Sequence, residues 1–167
     1  MADRLTSTDI ACWVLKTRTA PREIFPDWVP GSTRSLTRCL RRSYRVDLMR
    51  PSQPCLLWLS GQREPGVHAI GHLSTAAAPP EDVDPTGRPE SAVTVSLSLL
   101  TETVARPLLL ADPQFSAAEV LRMPAGSNPS YLTGPALAAL CEFLSPADRR
   151  RAGWPTCPDP DCVRGGT

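Results

Sequence analysis

The stretch CLLWLSGQREPGVHAIGH, residues 55–72, constrains the fold most. Two short apolar runs flank a polar loop bounded by Gly61 and Gly66 and containing Pro65. That punctuation predicts an antiparallel pair over 55–60 and 67–74. A second sheet signal follows in AVTVSLSLL, residues 92–100. There Val93, Val95, Leu97 and Leu99 face one way and Thr94, Ser96 and Ser98 the other, the period of a half-exposed strand. Residues 10–16, IACWVLK, are apolar on both faces and predict a central strand.

The remaining elements are read around this sheet. Residues 32–45, STRSLTRCLRRSYR, predict a helix capped by Ser32 or Thr33, with Leu36, Cys39, Leu40 and Tyr44 as its apolar stripe. Leu108–Leu110 predicts a short strand. Ser116 with Glu119 fits a capping box for a short helix through Leu121. Thr133 opens a last helix with Leu137, Leu140, Cys141 and Leu144 inward. Residues 75–91 read as an exposed connection, and 146–167 as a flexible Pro-, Gly- and Arg-containing tail with little core of its own. The order is α+β, with enough sheet to curl into a small, mostly antiparallel barrel flanked by helices. With 167 residues, a single domain over 8–145 is expected.

Composition excludes some classes. No apolar run approaches the ~20 residues of a membrane span, so no membrane partner is expected. The opening MADRLTSTDI lacks a basic-then-apolar signal pattern, which makes a cytoplasmic location the expectation. Cys12, Cys39, Cys55 and Cys141 sit in apolar patterns and read as small buried hydrophobes. Cys157 and Cys162 lie in CPDPDC, which lacks the spacing of a zinc knuckle. Net charge is only +1, so any electrostatic role must be local.

Enzyme chemistry finds little to use. His68 and His72 are four apart, but on a strand that separates them by about 13 Å at roughly 3.3 Å per residue, too far to share a metal. No HExxH, GxSxG or GxxxxGK[ST] pattern occurs. No catalytic residue, cofactor or metal is therefore expected. Arginine is more suggestive: between Arg34 and Arg50 the chain carries six arginines and one carboxylate, Asp47. Arg34, Arg38, Arg41, Arg42 and Arg45 are candidates for a nucleic-acid backbone, since guanidinium forks match phosphate oxygens. A solvated arginine-rich helix face is the alternative. Trp58 and Ser60 share a strand face, so Trp58 fits either the floor of a pocket for a flat ring or the core.

Four motifs, taken in order, resemble EVE domains. CWVLKT resembles the first strand of that family, ending in W-[LV]-x-K-[ST]. Asp27–Trp28 resembles its next landmark. LLWLSG followed by GVHAIGHLS resembles its central hairpin, and SNPSYLTGPALAAL its closing loop and helix. The resemblance spans roughly residues 8–145. EVE domains are PUA-like and related to the YTH readers of methylated adenine. The resemblance implies a curved barrel with a pocket for a modified or extruded base and a basic rim. It implies that Lys16 and Thr17 line the pocket and that Trp28 supplies an aromatic wall. Trp58 and Ser60 would stand at its mouth, and Ser127 and Asn128 would close it. Trp13 is expected to be packing. Thr17-Arg18-Thr19 stands where many relatives carry Ser-Glu-Pro after the lysine, and Pro89-Glu90-Ser91 where many carry an aromatic. Base-edge hydrogen bonds from Asn128, Thr17 or Ser60 would then carry more of the specificity.

The expected function is a non-catalytic module that captures a base, modified in the family reading, from DNA or RNA. One alternative is a small enzyme on the same barrel acting on an amide or nucleoside, with Glu23, Asp27 or His68 as base. Another is an adaptor whose arginines dock on an acidic protein.

Overall fold

The computed structural model describes residues 4–79 and 90–154. Among them are the strands β1 (Cys12–Thr17), β2 (Thr33–Arg41), β3 (Pro54–Leu59), β4 (Gly66–Leu73), β5 (Glu90–Ala105) and β6 (Ser130–Leu132). The helices are α1 (Pro21–Ile24), α2 (Arg106–Ala111), α3 (Glu119–Arg122), α4 (Gly134–Phe143) and α5 (Pro146–Arg151). One sheet runs β2-β5-β4-β3-β1-β6. Only β1 and β3 pair in parallel, with Leu15 opposite Leu57; the other neighbours are antiparallel. The architecture is α+β.

The central strands are apolar on both sides because they separate two cores. β1 is buried at every position: its apolar run Cys12–Leu15 requires it, and Lys16 and Thr17 at its end are buried as well. Trp13 and Leu15 enter one core with Leu57, Ala69, Val95, Leu97, Leu36 and Leu40. Cys12 and Val14 enter the other with Leu56, Trp58 and Ile70. That second core is covered by Phe115, Val120 and Leu121, then by Ala136 and Leu140 of α4. The sheet curls into a half-barrel, and its outer strands approach: the amide of Arg41 in β2 donates to the carbonyl of Asn128, just ahead of β6, at 3.2 Å.

The predicted hairpin, central strand, alternating strand and final helix are all present. Thr133 caps α4 by accepting from the amide of Ala136. The predicted helix over 32–45 is instead β2 followed by a 3-10 turn at Tyr44–Leu48. Leu36 and Leu40, four apart, share a side in either conformation, so they could not decide between them. What decides is the alternate row. Thr33 hydrogen-bonds Ser98 at 2.8 Å and Thr37 hydrogen-bonds Thr94 at 3.3 Å across to β5, and β-branched cross-strand pairs favour a sheet. Cys39 belongs to that row and is exposed, whereas Cys12, Cys55 and Cys141 are buried as expected.

Three further expectations change. Leu108–Leu110 lies in α2, where Leu109 alone of the three is buried. Ser116 and Glu119 do not form a capping box: α3 begins after Ala118, and Glu119 turns away to other partners. The expected tail begins with α5, capped by Ser145. Buried Asp148 accepts from the amide and hydroxyl of Thr101 at 3.1 and 2.8 Å. Trp154, 3% exposed, packs in the second core. Its indole N–H donates to the carbonyl of Gly71 at 2.9 Å. Gly71 lies so close to the Ser96 carbonyl that a Cβ there would collide with it. Residues 155–167, with Cys157 and Cys162, and most of the 75–91 connection lie outside the described residues.

If Trp154 is a core residue, Trp154→Ala should lower unfolding free energy in urea by about 3–5 kcal/mol. A change under about 0.5 kcal/mol, the usual range for a surface position, would show the segment to be an appendage.

Candidate functional site

β1 and β3 end side by side, with Thr17 opposite Leu59. The amide of Ser60 donates to the Thr17 carbonyl at 2.8 Å, joining the turns that leave both strands. The segment from Met123 to Pro129 lies against this end. Asn128 fastens it: its Oδ1 accepts from the Lys16 amide at 2.7 Å, and its Nδ2 donates to the Lys16 carbonyl at 2.8 Å. Within the segment, the Gly126 amide donates to the Met123 carbonyl at 2.9 Å. The Lys16 ammonium reaches that same carbonyl at 3.4 Å.

A cleft lies on each side of this segment. The first, about 590 Å³, has Ala20, Leu59, Pro124 and Ala125 as apolar surface. Arg18, Glu23, Ser60, Gln62 and Arg63 are its polar edges. The second, about 270 Å³, is lined by Arg41, Arg42, Arg45, Glu119 and Ser127, with Met123 and Gly126.

The second cleft is electrostatically braced. Arg45 grips Glu119 with both guanidinium nitrogens at 2.7 and 2.8 Å. The Ser130 hydroxyl donates to the same carboxylate at 2.9 Å. Arg45 also lies over the Tyr131 ring, 5.4 Å from its centroid. The Arg45 hydrogen bonds hold the Glu119 carboxyl below the usual range against the opposing effect of burial, with Ser130 adding to them. Lys16 is 9% exposed. Burial lowers its pKa most; Glu119 opposes that shift and Arg45 adds to it.

The structure does not gather the expected residues into one pocket. Ser60 lines the first cleft, and Ser127 lines the second, 3.4 Å from an Arg41 nitrogen. Thr17 is buried, and its hydroxyl accepts from the Thr19 amide at 3.1 Å. The side-chain amide of Asn128 is engaged with Lys16 rather than aimed at a ligand. Neither tryptophan forms a wall. Trp28 is 1% exposed, packs edge-on against Phe25 and donates its N–H to the Ser32 carbonyl at 3.0 Å. Trp58 is 3% exposed and stacks on Phe115. Both indoles are core: Trp58 points from β3 into the second core, and Trp28, in the turns between α1 and β2, packs into the first. Trp13 is fully buried, as expected.

The arginines also separate. Arg34 pairs with Asp27, and Arg38 is half-buried with its Nε lacking a partner among the described residues. Arg45 braces Glu119, which leaves Arg41 and Arg42 exposed at the second cleft. Of the groups proposed as a general base, Asp27 is ion-paired and His68 is buried against the Glu64 carbonyl. Glu23 alone of the three lines a cleft. Sequence reasoning missed Arg18, Gln62, Arg63 and Met123. The available signal was their place in the turns at the ends of paired strands, where functional side chains gather.

No family model and no curated protein sequence matches the chain. Solved structures do. A hypothetical protein from Leishmania major superposes with a TM-score of 0.61 at 14% identity, over 83% of this chain and 96% of the other. Protein PSPTO5229 from Pseudomonas syringae gives 0.57 at 16% identity, over 80% and 99%. The chain shares the fold of these structures, a curled six-stranded mixed sheet flanked by helices. A looser likeness is to human THYN1, solved in complex with DNA containing 5-methylcytosine, at 0.47 and 12% identity over 79% and 96%. That agreement is too loose to carry a residue or a ligand across.

Two outcomes test the site's frame. Asn128→Ala strips partners from both backbone groups of Lys16 and should cost about 2 kcal/mol in chemical denaturation; a loss within 0.5 kcal/mol, ordinary for surface positions, would make the clamp incidental. Glu119 has a folded pKa below its unfolded value, ordinarily ~4.3. Its contribution is therefore full above that value and is lost as pH falls through the folded one. Glu119→Gln should be less stable than wild type at neutral pH and should lose less stability than wild type on acidification below about pH 5. Parallel acid-unfolding profiles would contradict the brace.

Proposed function

We propose that this chain is a nucleic-acid-binding module that holds one unstacked base in the first cleft while arginines on both sides of the 123–129 segment hold the sugar-phosphate chain. One observation carries the reading. Arg18 and Arg63 flank the first cleft, Arg41 and Arg42 flank the second, and none of the four forms an ion pair among the described residues. Guanidinium forks left without carboxylates are suited to phosphate oxygens. The first cleft lies within the ~300–1,000 Å³ typical of small-molecule sites.

The chemistry of base capture differs from an aromatic cage. Leu59, Ala20 and the Pro124–Ala125 edge offer apolar contact to a ring. Glu23 accepts hydrogen bonds, whereas the Gln62 amide and the Ser60 hydroxyl can donate or accept. An exocyclic amine of cytosine or adenine would find an acceptor in Glu23. Stacking on an aromatic, about 1–3 kcal/mol per base, is not available from the sealed indoles of Trp28 and Trp58. Discrimination then rests on hydrogen bonds at the base edge. The EVE-like order of motifs supports a modified base as the ligand, and the same chemistry serves DNA or RNA.

Single-stranded oligonucleotides carrying unmodified, methylated and hydroxymethylated cytosine or methylated adenine should bind with steep salt dependence. Arg41→Ala with Arg42→Ala should reduce the slope of log K against log salt by about 1.4, at roughly 0.7 per phosphate on a single strand. Arg18→Ala with Arg63→Ala should weaken binding about equally for all bases. Affinity that ignores both salt and these substitutions would defeat the proposal. Equal affinity for modified and unmodified strands would remove the modified base from it.

A further inference from the structure

The second cleft is smaller than the first and more one-sided in charge. Arg41, Arg42 and Arg45 line it, and its lining carboxylate, Glu119, is already held by Arg45 and Ser130. Behind Gly126 stands the Lys16 ammonium: a Cβ built on that glycine would come within 3.4 Å of Nζ. Lys16 is nine-tenths buried, and the one described hydrogen-bond partner of its ammonium is the Met123 carbonyl at 3.4 Å, a long contact for a group with three donors. Three arginines against one glutamate leave an excess of two positive charges around about 270 Å³, and the Lys16 ammonium stands just outside this lining, behind Gly126. The Ser127 hydroxyl adds a neutral donor at the same place.

We propose that this cleft is a dedicated site for a terminal phosphate, the phosphomonoester at the end of an oligonucleotide strand. The charge argues for it. A phosphodiester in mid-strand carries a single negative charge, whereas a phosphomonoester carries about −1.5 to −2 at neutral pH and three strong acceptor oxygens. An excess of two cations around a small space, with an ammonium behind its wall, matches the dianion better. The donors are also of two complementary kinds. Arg41 and Arg42 present planar forks from the rim, whereas Lys16 acts as a point charge from below the loop. Burial that lowers the Lys16 pKa marks an ammonium short of compensation, which an arriving anion would supply. The site rests on the nucleic-acid reading only for the source of its phosphate.

Matched oligonucleotides with 5′-phosphate, 3′-phosphate or hydroxyl ends separate the sources. One phosphorylated end should bind about tenfold tighter than the hydroxyl form, the size expected of a charged hydrogen-bonding group. Arg42→Ala, and Arg41→Ala with it, should erase that ratio. Arg150→Ala, on a helix that lines neither cleft, should keep it. Inorganic phosphate should also shift the backbone amide resonances of Gly126 and Ser127 in wild type and not in the Arg42→Ala protein. If phosphate shifts those amides while no oligonucleotide binds, the anion site stands and the nucleic-acid function falls. Equal binding of all three end chemistries, or amides indifferent to phosphate, would overturn the anion site.

Discussion

The site depends on one side chain acting as if it were backbone. In the antiparallel pairing of β1 with β6, Cys12 faces Leu132, Trp13 faces Tyr131 and Val14 faces Ser130. Continued outward, the next hydrogen-bonded partner of Lys16 would be Asn128. The Asn128 side chain takes that place, with an acceptor for the Lys16 amide and a donor for its carbonyl. A carboxamide offers both in one plane and side by side. Because the side chain has taken over the ladder, the backbone carbonyl of Asn128 is free to accept from Arg41 of β2. One residue thus ties together the two outer strands of the sheet, and the buried polar ends of β1 gain the partners they need.

That tie explains why the opening is divided. A loop held at Asn128 and stiffened by the turn at Met123–Gly126 cannot sink between the ends of β1 and β3. It stands across them and leaves space on each side. The Arg45–Glu119–Ser130 group holds the adjoining wall in the same way, linking the turn after β2 to α3 and to β6. A charge-paired brace at 24% and 15% side-chain exposure is a costly arrangement unless its hydrogen bonds are complete. Here the carboxylate has three donors. Rigid supports of this kind hold neighbouring functional groups near one geometry.

Sheet, hairpin and closing helix were legible because each rests on a local period. The apolar alternation of 92–100 needs no knowledge of the partner strand to be read. β2 was less legible because Leu36 and Leu40 satisfy helix and strand alike. Its Ser/Thr row had the deciding information, and arginine between those residues hid it. Among the candidate residues, Ser60 and Ser127 line the two clefts, beside recognisable strand and loop motifs. Trp28 and Trp58 could not be placed, because a tryptophan near a strand end looks the same whether its outer side meets solvent or helices. Only tertiary structure shows that Phe115 lies over one and Phe25 beside the other. The function of Asn128 was misjudged for a related reason: a polar side chain in a loop advertises its donors, but not that the backbone has already taken them.

The arginines show how a chain of net charge +1 can still present a cationic site. Asp27, Glu119 and Asp148 each neutralise one guanidinium by direct contact. Those pairs hold α1's following turn to β2, α3 to the turn after β2, and α5 to itself. Once they are discounted, Arg18, Arg63, Arg41 and Arg42 remain as rim charges, one pair on each side of the same short segment. Spread over the whole surface, four charges would count for little beyond a Debye length of about 8 Å at physiological salt. Set around two concave spaces whose walls exclude part of the solvent, they reinforce one another. The division of the arginines into braces and rim, rather than their number, makes the site electrostatically distinct.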